Sequence, residues 1–366
     1  MSVAELLRDK RICICAGAGG VGKTTASAAI AMGMAAEGLK VAVVTIDPAK
    51  RLANSLGLPE LGNEERRVEI DVRGELWAMM LDAKRTWDEL IERHAPDEQT
   101  RDTVLSNRIY QELSNAVAGS TEFMAIEKLF ELHHEQRYDL LVLDTLPTRN
   151  ALDFLDAPKR LSRFIDSRSL QFFLRPAGNL GMKVLGRGSG VVFALLKRIT
   201  GIDLISDLSE FFRSFGDMAG GIRERAERVN ELLADRHTSF FLVTSPQRDA
   251  IDEAIFFHRR LREASMPFGA AIVNRVHDLP DTSEDGAAVE DDLAALLDER
   301  LARKVARNFD DYRLLADSDR SNVERLLREL GERPAVLVPY LDEDVHDISG
   351  LLAMNEHLFA ADAVAA

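Results

Sequence analysis

The stretch Ala16-Gly17-Ala18-Gly19-Gly20-Val21-Gly22-Lys23-Thr24-Thr25 limits what this chain can fold into more than any other. It follows an apolar run, Ile12-Cys13-Ile14-Cys15, and precedes a segment with helical spacing from Ala26 to Glu37. Strand, glycine-rich loop and helix, in that order, form the context that the G-x-x-x-x-G-K-[ST] pattern requires. Glycines let the backbone curl until several N–H groups point inward at anionic oxygens, and the helix adds the positive end of its dipole. Gly19, Gly20, Val21 and Gly22 are therefore expected to cradle phosphates. Lys23 would reach the β- and γ-phosphates, the Thr24 hydroxyl would ligate Mg²⁺, and Thr25 would bind beside them.

A chain of 366 residues can bury a substantial core and is expected to hold one large or two ordinary domains. The net charge of −15 argues against a nucleic-acid partner, because phosphate backbones are bound by clustered Lys and Arg. Met1 to Lys10 lacks the apolar core of a signal peptide, and no apolar run approaches 18 residues, so a cytoplasmic location is expected. The two cysteines, Cys13 and Cys15, fall on one face of a pleated strand, which suits burial. With no C-x-x-C present, no zinc site is expected.

Seven short apolar runs with almost no alternation read as strands covered on both faces: Arg11–Ala16, Val41–Asp47, Leu76–Leu81, Leu140–Asp144, Phe240–Thr244, Ala270–Asn274 and Ala335–Pro339. Helical stretches separate them, so the predicted fold is α/β, a doubly wound, mostly parallel sheet of the P-loop NTPase type. Two helical regions are too long for single crossovers. They predict a helical subdomain at about 84–136 and 158–236, inserted into a core at about 8–83, 137–157 and 237–366. Asp281–Glu299 carries eight acidic residues and no basic one, and reads as a solvated loop and helix.

In an open α/β sheet, ligands bind outside the carboxyl ends of the strands. Asp47 ends the second run before Pro48, and Asp144 ends Leu141-Val142-Leu143 at the position from which a carboxylate holds Mg²⁺ through water. Taken singly, either aspartate could be an Asx-turn residue. Asn274 follows Ala271-Ile272-Val273; its amide matches the N6/N7 edge of adenine, although such an amide could also bond nearby backbone. No N-K-x-D or T-K-x-D follows a late strand, so ATP is expected over GTP.

These motifs resemble the ArsA family of ATPases, which comprises arsenical-pump ATPases and tail-anchored-protein-targeting factors within the deviant Walker A enzymes. Gly17–Thr25 is similar to the family loop G-K-G-G-V-G-K-T-T, Asp47-Pro48-Ala49 to the switch I D-P-A, and Asp144-Thr145-Leu146-Pro147-Thr148 to the switch II D-T-A-P-T. Gly119-Ser120-Thr121-Glu122-Phe123-Met124 resembles a P-G-x-x-E segment. Asn274 sits where the family keeps an adenine-reading Asn, and Val338-Pro339-Tyr340-Leu341 with Asp344-Val345 resembles its turn beside the base. The resemblance implies Mg²⁺-dependent hydrolysis of ATP to ADP and phosphate between facing sites of a homodimer, or of a heterodimer with a related subunit. Asp47 would direct the attacking water. Asp144 would couple metal and γ-phosphate to switch II and move the helical subdomain.

The sequence departs from the family at informative places. The signature lysine, second in the loop, is Ala18, while extra cations stand at Lys50, Arg51 and Arg149. Arg149 or Lys50 is expected to supply the missing charge, unless both are merely solvated. The apolar stretch Val191–Leu196, Ile199, Ile202 and Leu204–Met218 suggests a groove for a hydrophobic client or a membrane partner, or else a subdomain core or dimer contact. Gly186–Gly190 before it could be a hinge, and His133-His134 reads as a solvated pair. Three uses of hydrolysis remain open: handling a hydrophobic client, driving an anion exporter, and gating assembly with ATP as dimer glue.

Overall fold

The computed structural model describes residues 2–108, 110, 111, 120–146, 155–160, 163, 204–277, 286–360, 364 and 365. Its described strands are β1 (Ile12–Ala16), β2 (Lys40–Thr45), β3 (Arg66–Val68), β4 (Glu75–Met80), β5 (Leu140–Asp144), β6 (Thr238–Thr244), β7 (Phe268–Val276), β8 (Ala335–Pro339) and β9 (Val364–Ala365). They form one sheet in the order β3-β4-β2-β5-β1-β6-β7-β8-β9. The pairs from β4 to β8 are parallel, while β3 and β9 are added antiparallel at the two edges.

The central strands β1, β5 and β6 are buried along their whole length, as parallel strands under crossover helices must be. Cys13 and Cys15 are buried free thiols in β1, within the apolar core. Burial and the neighbouring sulfur hold the Cys13 thiol well above its ordinary range. The helix Lys23–Ala36 follows the glycine loop and is buried from Ala26 to Ala35. Its alanines let it lie close against the sheet, and Ile30, Met32 and Met34 fill the space between. Beyond β1 the chain goes to one side, towards β2, and later returns on the other side as β6. The reversal puts a crevice at the carboxyl end of β1, where the phosphate loop begins.

Three of the expected strands differ by two residues at one or both ends. Val41–Asp47 ends at Thr45, so Asp47 stands two residues beyond the strand rather than in it. Ala270–Asn274 extends to Phe268–Val276, and Phe240–Thr244 begins at Thr238.

The residues divide into two compact units, Met1–Met80 with Glu131–Leu152 and Leu233–Ala366, and Leu81–Phe130 with Asp153–Leu232. The first carries the sheet. Described helices of the second include Ala83–His94 and Glu98–Ser106, capped by Asp82 and Asp97. Trp87 packs on Phe123 with ring centroids 6.1 Å apart, and Tyr110 on Phe211 at 6.4 Å. Glu127, almost wholly buried, accepts from Arg225 Nε at 2.8 Å and lies 3.6 Å from an Arg93 nitrogen. Phe211 and Met218 of the apolar stripe are buried there. Val191–Ile202, Gly186–Gly190, Gly119 and Arg149 lie outside the described residues.

Candidate functional site

The site is built where β1 gives way to its helix. Gly17 passes the backbone of β6 so closely that a Cβ would stand 1.9 Å from the Val243 carbonyl oxygen, which only glycine avoids. Gly22 caps the helix in the left-handed region, with φ 93°, and a Cβ there would stand 2.3 Å from Asn274 Nδ2. Asn274, at the far end of β7, donates to the Val21 carbonyl at 3.0 Å. Its amide is thus committed in part to the loop's backbone. Among the described residues, its carbonyl oxygen and second N–H have no partner.

Lys23 is buried, and its ammonium donates to the Ala18 carbonyl at 2.6 Å. Burial lowers its pKa, opposed by the carboxylates of Asp144 and Asp47. Asp144 is fully buried at the end of β5 and accepts on Oδ2 from both Thr24 and Thr45, each at 2.8 Å. Burial, helped by the nearby Asp47, pushes its pKa up to about 6 against the pull of those two hydroxyls and of Lys23. Thr145 donates to the Cys15 carbonyl at 2.9 Å and ties the residue after β5 to β1.

Among the described residues Asp144 Oδ1 has no hydrogen-bond partner although it is buried. An unsatisfied buried carboxylate oxygen is costly and calls for a cation or water. Thr24 spends its proton on Asp144, which leaves its own lone pairs free. A hydroxyl oxygen and a carboxylate side by side are the hard donors that Mg²⁺ takes, so the residues fit that ion.

Asp47 closes an Asx turn by accepting from the Ala49 N–H at 2.9 Å, and its other oxygen lies 3.4 Å from Arg51. Asp47 also lines a cavity of about 340 Å³ with Lys23, Thr24, Thr25 and Thr145. Lys50 is exposed and is not among the residues lining that cavity. A second cavity, of about 270 Å³, is lined by Thr25, Asn274, Pro339, Tyr340 and Val345. A third, of about 1000 Å³, runs past Ala18, Gly19 and Gly20 to His277 and Asp319. His277 stacks on Tyr340 at 5.4 Å and bonds Asp319 through Nδ1 at 2.7 Å.

Two residues of this crevice escape the sequence reading. Thr45 shares Asp144 with Thr24; a polar residue closing the run Val41–Val44 was the available signal. Arg275 lines all three cavities, and its backbone geometry left no mark in the sequence.

A family model described as anion-transporting ATPase, ArsA, matches residues 10–316 of the chain. The protein belongs to the ArsA ATPase family. Among similar proteins, a putative arsenical pump-driving ATPase 2 of Aquifex aeolicus is 25% identical over 283 residues, which cover 75% of this chain and 82% of that protein. ATPase GET3C of Arabidopsis thaliana is 27% identical over 297 residues, 76% of this chain and 70% of its own length. ATPase GET3 of Malassezia globosa is 28% identical over 201 residues, 54% and 58%. The chain is an ATP hydrolase with the mostly parallel sheet of P-loop enzymes. Among the described residues, no helix is long and apolar enough to cross a membrane.

Proposed function

We propose that this ArsA-family enzyme hydrolyses Mg·ATP in the crevice at the end of β1, and that the reaction drives movement of the helical subdomain for a hydrophobic client or a membrane partner. One observation carries the site assignment: Asp144 takes hydroxyls from Thr24 and Thr45 on one oxygen while the other is buried and unpartnered. Thr24 and Asp144 would hold Mg²⁺, the latter through water. When bound, that ion neutralises charge on the β- and γ-oxygens.

The remaining work falls to the chain's own groups. Gly19, Gly20, Val21 and Gly22 present backbone N–H groups to the phosphates, and Thr25 stands beside them. Lys23 leaves the Ala18 carbonyl for the triphosphate, exchanging a neutral acceptor for an anionic one. Asp47 orients the attacking water once its exposed partner Arg51 swings aside; ion pairs with such an exposed member hold weakly. Asn274 offers its free amide groups to adenine, with Pro339 against the ring.

Asp144 joins the metal to the residues that follow β5. Its hydroxyl partners come from β2 and from the helix after the loop, so a change at the γ-phosphate is felt in three elements at once. That supports a switch, completed by a second copy of the chain or a related subunit facing the site. The pump-driving names among its relatives suggest an exporter motor instead. Here both cysteines are buried in β1, which disfavours a thiol-bound metalloid as effector.

Phosphate release by the purified chain tests the site. Mg²⁺-dependent turnover is expected, abolished in Lys23→Ala and reduced about 100-fold or more in Asp47→Asn with ATP still bound. ATP binding without turnover in the unaltered chain would favour the reading in which ATP holds an assembly together.

A further inference from the structure

Arg275 stands in the left-handed region with φ 64°, a conformation that costs a side-chain-bearing residue energy and that arginine rarely adopts. The cause is a bulge. Asn274 pairs with Val338 and Val276 with Pro339, so Arg275 has no partner in β8 and is pushed out of the sheet. Strands carry bulges where a side chain must be re-aimed, and here the re-aimed side chain lines the cavity beside Lys23, the one beside Asn274 and the groove beside Ala18. Its backbone is fixed relative to the phosphate loop, because Asn274 is bonded to Val21. Among the described residues the side chain of Arg275 makes no hydrogen bond or ion pair.

The other described cations near the loop are otherwise engaged or placed. Arg51 lines only the cavity beside Lys23 and Asp47, Lys50 lines none of the three, and Arg248 reaches only the groove. We propose that Arg275 contacts the triphosphate of bound ATP from the side of the base and supplies, within one chain, the cation that Ala18 does not. The inference rests on the reading of this crevice as the ATP site. A guanidinium suits the role because its fork bonds two phosphate oxygens at once. The carboxylates that share these cavities with it, Asp47, Asp249, Glu253, Asp319, Glu343 and Asp344, are the competing partners.

The test is equilibrium binding of Mg·ATP, Mg·ADP and AMP to the full chain and to Arg275→Ala, Arg275→Gly and Arg275→Lys, with melting temperatures taken without nucleotide. Loss of one charge-assisted contact weakens ATP and ADP about tenfold or more in the Ala and Gly proteins, with AMP affected less. Lys restores part of the loss. Arg275→Gly melts no lower than the unaltered chain, because glycine accepts φ 64° without strain, so its loss of affinity is not loss of fold. An Arg275→Gly protein that melts normally and binds all three nucleotides unchanged overturns the proposal. Failure of the underlying reading looks different: the unaltered chain would bind ATP no better than Lys23→Ala does.

Discussion

Asp144 answers to two opposing demands, and pH separates them. Its pKa is raised from the ordinary 3.8 to about 6 by burial. Between those values the folded protein keeps a proton that the unfolded chain has released. Stability from this group therefore falls as pH rises from about 4 to about 6. Metal binding needs the ionised form, so Mg²⁺ affinity runs the other way and declines as pH drops through about 6. Magnesium titration of turnover between pH 5 and 8, at saturating ATP, should show this decline, and a flat profile would contradict the assignment of Asp144 to the metal. Lys23, Thr24, Asp47 and Asn274 were legible as candidates because each sits at the end of an apolar run or in the glycine loop. Thr45 and Arg275 were not, since one matters only through a contact 99 residues away in sequence and the other through a backbone angle.

At the level of elements, Glu127, on the helix Ser120–Glu135, is paired in the second unit with Arg225 on the helix Leu204–Ala234. Glu127 is 1% exposed, so removing its carboxylate strands a poorly solvated guanidinium. Glu127→Ala is expected to lose about 3–5 kcal/mol in that unit, measured by urea unfolding, with Glu127→Gln losing less. The central strands were readable because burial on both faces writes an unbroken apolar run. The edges were not: β3 is Arg66-Arg67-Val68 with only the valine buried, and β9 has two residues. An edge strand is held by pairing on one side only and needs no apolar signature.

For the whole molecule, the proposal of two facing sites makes a claim about mass. The chain of 40.7 kDa should sediment as one copy without nucleotide and as two with Mg·ATP when hydrolysis is slowed by Asp47→Asn. A single copy under both conditions, at concentrations where ATP is bound, would point to a different subunit as partner.

The strand order also sets a timetable for the newborn protein. The first strand made, β1, pairs only with β5 and β6, and about 120 residues separate its end from the start of β5. At ribosomal speeds of roughly 5–20 residues per second, that is a wait of roughly 6–25 s. Throughout it, Ile12-Cys13-Ile14-Cys15 has an edge of unpaired backbone N–H and C=O groups on each side and two thiols not yet enclosed by neighbouring strands. The proposed ATP site thus begins from the strand that waits longest for its partners, and aggregation or oxidation during synthesis would strike the enzyme at its centre.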